Sequence, residues 1–218
     1  NNRNMKKMMF AAMMAVMSSC ATAQSDKDIT LLPPDTDKGA SIMKSLAQRQ
    51  SHRECADKDL SKEDLSNLLW AANGINRTAD NKRTAPSALN RQDIDVYVIS
   101  RKGAYKYVAA EHRLQLITEG DHRSAVAGGQ DFVNGFPVSL VLVSELSRLG
   151  DAKNERTRMT AAMDAGYVSQ NICLFCAGNG LVTVPRATMD TAALKKILRL
   201  GDTALPLLNN PVGYPKGK

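Results

Sequence analysis

The stretch ERTRMTAAMDAGYVSQNICLFCAGNGLVT, residues 155–183, decides how this chain is read. Met159, Ala162, Met163, Gly166, Val168, Ile172 and Phe175 recur at helical spacing without a break, so one long helix is expected from about Glu155 to Asn179. Gly180 stops it, and a short strand follows around Val182–Val184. Just upstream, Val138–Val143 reads as a strand buried on both faces. Further back, the β-branched run Ile94–Ser100, the turn-like Arg101-Lys102-Gly103 and the run Ala104–Val108 read as a β-hairpin. Leu114, Leu116 and Ile117 suggest one more short strand or turn, and Ser124–Gln130 a small helix.

Nearer the N-terminus, Ile42, Met43, Leu46 and Ala47 give a short helix ending near residues 49–51. Ser61 and Asp64 resemble a capping box ahead of a helix that turns Leu65, Leu68 and Leu69 to one face and ends at Gly74. Residues 76–93 read as a long polar loop. Beyond the long helix, Asp190–Leu200 is amphipathic, and Leu205–Val212 is extended with Pro206 and Pro211. Proline cannot donate to a strand ladder, so that last segment is expected at a sheet edge or as an arm facing a partner. Hairpin strands mixed with long helices, without regular βαβ alternation, make the chain α+β.

The first 23 residues distort the composition. Behind Met5, Lys6-Lys7 precedes an apolar run from Met8 to Met17 and the triplet Ala21-Thr22-Ala23, the layout of a secretory signal peptide cleaved before Gln24. Ten apolar residues are too few to span a bilayer. Cys20, after Ser18-Ser19, offers lipid anchoring as an alternative. Export, to a bacterial periplasm, is therefore expected. Setting residues 1–23 aside reduces a formal charge of +7 to 26 basic against 22 acidic residues, and removes six of the ten methionines. No basic tract remains, so nucleic-acid binding loses its support. Residues 24–40 read as an extended arm ahead of a single domain spanning 41–218.

Three clusters carry chemistry. Arg49, Gln50, Ser51 and Arg53 place two guanidinium groups and a hydroxyl where they can converge on one anion. Pro86, Ser87, Asn90 and Gln92 put amides and a hydroxyl on one loop, able to read the edge of a heterocycle. Gly180-Leu181 is a helix stop whose backbone is free to approach a planar ligand. Cys173 and Cys176 form a C-x-x-C, yet they fall inside the long helix and read as core cysteines. The three histidines are scattered singly, and no metal site is expected.

Arg-x-Ser-x-Arg at 49–53, Pro-Ser-x-x-Asn-x-Gln at 86–92 and Gly-Leu-x-Thr at 180–183 occur in this order, with Leu68–Gly74 and Asp164–Asn171 between them. Together they resemble the FMN-dependent nitroreductase family, in particular its SagB-type or nitroreductase-like dehydrogenase branch, over about residues 41–215. The resemblance implies a mostly antiparallel sheet flanked by helices, in a homodimer with FMN at the interface. It also implies hydride transfer from NAD(P)H through flavin N5 to a nitroaromatic, quinone or similar small acceptor. Arg49 and Ser51 would then hold the FMN phosphate or ribityl chain, and Arg53 would lie near the N1/C2 edge. Ser87, Asn90 and Gln92 would meet the flavin or the dimer-related face, Gly180 and Leu181 would border the ring, and Lys216 and Lys218 would be further phosphate ligands. No protein nucleophile is required, because the flavin is the redox centre.

Gln50, Cys55, Phe136 and Val182 depart from the family pattern, and Phe136 is expected to narrow the acceptor pocket. Two other readings stand beside this one. The fold could serve flavin or ligand binding without turnover, or an FMN-dependent dehydrogenation that does not use NAD(P)H, a cytoplasmic reductant.

Overall fold

The computed structural model describes residues 27–217. The leader pattern, Cys20 and Lys218 lie outside them.

A sheet with strand order β1-β6-β5-β4-β7-β9-β8 organises the chain, and every pairing in it is antiparallel. Its strands are β1 (Ile29–Thr30), β4 (Ile94–Ser100), β5 (Gly103–Val108), β6 (Arg113–Glu119), β7 (Val138–Glu145), β8 (Val182–Thr183) and β9 (Ala204–Gly213). The helices are α1 (Ile42–Gln48), α2 (Lys62–Asn73), α3 (Arg123–Ala127), α4 (Glu155–Gly178) and α5 (Thr191–Ile197). This is the expected α+β architecture of a central antiparallel sheet flanked by helices.

Alternation along the middle strands sorts the core into two layers. Val96, Val98, Leu140 and Leu142 face α2 and α4, meeting Leu68, Leu69, Val168 and Ile172. Tyr97, Ile99, Val141 and Val143 face α3 and α5, meeting Val126, Leu194 and Leu198. Both faces of β7 are thus covered, which is why its sequence is a continuous apolar run.

Local signals act as expected at the helix ends. Ser61 Oγ accepts from Asp64 N at 3.0 Å and donates to Asp64 Oδ2 at 2.8 Å, and Gly74 caps α2. The loop expected over 76–93 is more ordered than its polarity suggests. β2 (Ile75–Arg77) and β3 (Lys82–Arg83) form a small separate ribbon, turned by Asn81 at φ 52°.

The last strand corrects the sequence reading. Leu205–Val212 is not an outer edge of the sheet: it lies in β9, paired with β7 along its length, with β8 at Val212 and Gly213 and with Arg186 at Asn209. Pro206 sits beside the register shift at Leu142/Val143, where the ladder is already interrupted. Pro211 turns its nitrogen to the same side as Asn209, whose N–H donates to Arg186 rather than to β7. The missing donors therefore cost the β7 ladder little.

Candidate functional site

α1 ends at Arg49, whose N–H donates to Ser45 O at 2.9 Å, and the chain then runs out beside β8 and β9. His52 N donates to Thr183 O at 3.0 Å and Ala56 N to Tyr214 O at 2.8 Å, so the backbone of this strip is fixed at both ends. The side chains of Arg49, Gln50, Ser51 and Arg53 are exposed. None of the four has an ion pair or a side-chain hydrogen bond among the described residues. Arg101, Arg113, Arg123 and Arg148 are all held by carboxylates. Arg49 and Arg53 thus keep guanidinium donors free on a pinned backbone, Arg49 in the wall of one hollow and Arg53 in that of another.

Opposite the strip, Leu181 N donates back to Cys176 O at 2.9 Å, turning the chain out of α4. Gly180 makes this turn at φ +67°, and a Cβ there would meet nothing within 4 Å. Arg49, Gln50, His52, Ala177 and Leu181 border a hollow of about 550 Å³.

A second hollow, of about 450 Å³, has Arg53, Cys55, Arg101, Phe132, Gly135 and Lys216 in its wall. A Cβ at Gly135 would also meet nothing within 4 Å, so a flat ligand has room against that backbone. Cys55 Sγ donates to Gly135 O at 3.3 Å, and burial pushes its thiol up while Lys216 and Arg101 pull it back. Lys216 reaches Glu54 at 3.0 Å on the exposed rim. Phe136 does not narrow this space. It is fully buried beneath it with Cys55 and Val182, and Phe132 is the aromatic residue in the wall.

The Pro86–Gln92 loop lies elsewhere. Ala88 N donates to Asp164 Oδ2 at 2.9 Å, twelve residues before Cys176 on the same helix. That separation is about 18 Å along α4. Within the loop the polar groups largely satisfy one another. Ser87 Oγ accepts from Gln92 N at 2.8 Å, Gln92 Oε1 accepts from Arg83 at 3.0 Å, and Gln92 Nε2 donates to Asn81 O at 2.8 Å. Gln92 is thereby tied into the loop rather than free for a ligand. Leu89, Asn90 and Gln92 all have φ near +50°, and Leu89 is 88% exposed. A bulky residue held left-handed in solvent is strained and leaves an apolar knob unpartnered. The three sequence clusters therefore lie in two places on one chain, 49–53 with 180–181 and, away from them, 86–92.

Beneath the loop, Asp93 is fully buried against Asp164, and Ser144 Oγ donates to Asp93 Oδ2 at 2.6 Å. Burial, reinforced by the neighbouring carboxylate, pushes the Asp93 carboxyl up to about 6. Cys173 and Cys176 are buried, and desolvation raises both thiols. They are core residues, as their place inside a helix suggested. Among the described residues there is no cluster of His, Cys, Asp or Glu able to hold a metal, and no helix long and apolar enough to cross a membrane. Sequence reasoning missed Phe132 and Gly135, which carry no motif of their own.

Comparison with known proteins bears on this geometry. The sequence model of the Nitroreductase family matches residues 46–214. A Methanocaldococcus jannaschii protein named as a candidate nitroreductase is 30% identical over 177 residues, covering 77% of this chain and 88% of that one. A Bacillus subtilis protein named FMN reductase [NAD(P)H] is 25% identical over 188 residues, covering 80% of this chain and 66% of that one. A crystal structure from Ralstonia eutropha, also described as a candidate nitroreductase, superposes with a TM-score of 0.81 at 35% identity, covering 88% and 91% of the two chains.

Proposed function

The chain belongs to the nitroreductase family and is an oxidoreductase, and from that premise we propose that it binds FMN between two copies of itself and passes electrons to a nitroaromatic, quinone or similar small acceptor. The observation that carries this reading is the pair Arg49 and Arg53, uncommitted to any carboxylate among the described residues, Arg49 in the wall of the first hollow with Leu181 and Arg53 in the wall of the second with Gly135. Arg49 and Ser51 supply donors for a phosphate or ribityl chain. Arg53 supplies a fixed positive charge for the N1/C2 edge of the ring. Gly135 and Gly180 leave room for a flat ring system, and Leu181 stands in the wall of the first hollow. Bound FMN would supply hydride acceptance and donation at N5; the protein's part is to bind, orient and polarise it.

A second copy accounts for this separation of the clusters, because Ser87 and Asn90 of one chain can then complete the strip of the other. Apolar side chains support such a pairing. Met159, Met163 and Tyr167 lie one turn apart on α4, 57%, 50% and 48% exposed, and Leu89 stands near them beside Asp164. Export is also part of this reading, supported by the leader pattern of residues 5–23, and it favours an electron donor other than cytoplasmic NAD(P)H.

Purified protein is expected to be yellow, or to become so with added FMN; a colourless protein that takes up no FMN overturns the reading. Stopped-flow mixing with NADH and with NADPH tests the donor, and rapid flavin reduction by either removes the case for an alternative one. Steady turnover of nitrofurazone or a quinone excludes a binding protein without catalysis.

A further inference from the structure

Arg186 is 6% exposed and has no acidic partner among the described residues. All of its hydrogen bonds go to neutral acceptors. Nε donates to Gln130 Oε1 at 2.9 Å, Nη1 to Val126 O at 3.1 Å and Asn209 Oδ1 at 2.7 Å, and Nη2 to Ala127 O at 2.9 Å. Its own backbone is clamped to β9 by two bonds with Asn209, at 2.9 and 2.7 Å. The guanidinium then lies over the ring of Phe132, 5.5 Å from its centroid.

This arrangement ties one particular segment to the sheet. Between α3 and Phe132 the chain turns through Gly128 and Gly129, at φ +54° and +85°; Gln130 N and Val133 N close the turn on Ala127 O and Gln130 O, and the Phe132 ring is left to its side-chain contacts. Arg186 takes the carbonyls before these glycines, the Gln130 amide after them, and the Phe132 face beyond. Phe132 in turn packs edge-on to Phe136, with ring centroids 6.4 Å apart, and stands in the wall of the hollow that holds Arg53, Cys55 and Gly135. Stability alone does not account for a buried, uncompensated cation, since a well-packed apolar residue of similar volume usually serves a core as well or better.

We infer that Arg186 is a positioning residue of the acceptor pocket, holding Phe132 at a fixed angle so that the wall of the hollow selects flat aromatic acceptors. The inference rests on the function proposed above and names the discriminating element of that site. Lysine keeps the charge but loses the planar fork and the stacked face. A cation–π contact of this kind is worth about 0.5–2 kcal/mol, or roughly a 3- to 30-fold effect.

The test compares Arg186→Lys, Phe132→Leu and the double variant as FMN-loaded enzyme. With Arg186→Lys, KM for a nitroaromatic or quinone rises about 3- to 30-fold. Flavin content and the rate of electron transfer to ferricyanide, which enters as no flat ring, stay as in the parent. Phe132→Leu raises the same KM, and the double variant is no worse in KM than either single one. A parallel loss toward ferricyanide, or additive losses in the double variant, overturns the inference. A second measurement needs no flavin. In protein labelled with fluorophenylalanine, Arg186→Lys shifts or broadens the 19F line of Phe132 and leaves that of Phe175 in place; an unmoved Phe132 line overturns the inference. Failure to load FMN would instead strike the proposed function, and the fluorine measurement would still decide the Arg186–Phe132 link.

Discussion

Arg49 and Arg53 differ from Arg113 and Arg148 in what they lack. Arg113 and Arg148 spend their donors on carboxylates, whereas the strip beyond α1 keeps its donors free. Charge-assisted hydrogen bonds contribute about 1.5–3 kcal/mol each, so Arg49→Ala or Arg53→Ala should weaken FMN binding by about 10- to 150-fold with little change in melting temperature. Fluorescence titration with FMN checks this. Asp93 makes a prediction of the opposite kind, about stability. Its carboxyl is raised to about 6 in the fold, so the native state favours the protonated form. That contribution is complete below the unfolded carboxylate range near 4 and is lost as pH rises through 6. Urea melts at pH 5 and pH 8 should therefore show the parent less stable at pH 8. Asp93→Asn carries a permanent donor toward Asp164 and should flatten the difference. At this scale the sequence points to Arg49, Ser51 and Arg53 because a short Arg-x-Ser-x-Arg run is local, and the structure leaves their side chains exposed. The sequence could not show that Gln92 is already bonded to Arg83 and Asn81, since those partners depend on how the loop closes.

Helices and middle strands were legible because their signals are periodic and local: the break at Gly180, the Ser61 cap and the apolar run of β7 all mark real boundaries. β9 was misplaced because proline content speaks of a missing donor, not of which neighbour that donor would have faced. The β2–β3 ribbon was missed because two short polar strands carry no hydrophobic period. The exposed stripe on α4 belongs to this scale as well. Met163→Lys, placed in its middle, should shift the protein from dimer toward monomer in sedimentation and lower FMN affinity with it. The isolated α4 surface loses no packing, so the monomer should keep its secondary structure by circular dichroism.

Across the whole molecule, the first and last described segments are fastened to the body by charged groups. Asp28, whose side chain is 3% exposed, accepts from Arg113 Nη1 at 2.7 Å and from Leu116 N at 2.9 Å, pinning β1 to β6. Asp28→Ala leaves Arg113 buried with only the exposed Glu111 for company and should destabilise the fold by about 3 kcal/mol in chemical denaturation. At the other end, Tyr214 Oη donates to Asp64 Oδ2 at 2.6 Å, and Lys38 from the N-terminal arm meets the same carboxylate at 3.0 Å. No reading of composition or spacing brings residues 38, 64 and 214 together, because the contact belongs to the closed topology.

The placement of β9 reaches beyond its ladder. β9 packs against β7 along most of its length, so removing residues 204–213 would leave β7 with a bare apolar edge and α4 with an incomplete floor. Such an edge is open to pairing with a strand of another chain, and β9 is what closes it here.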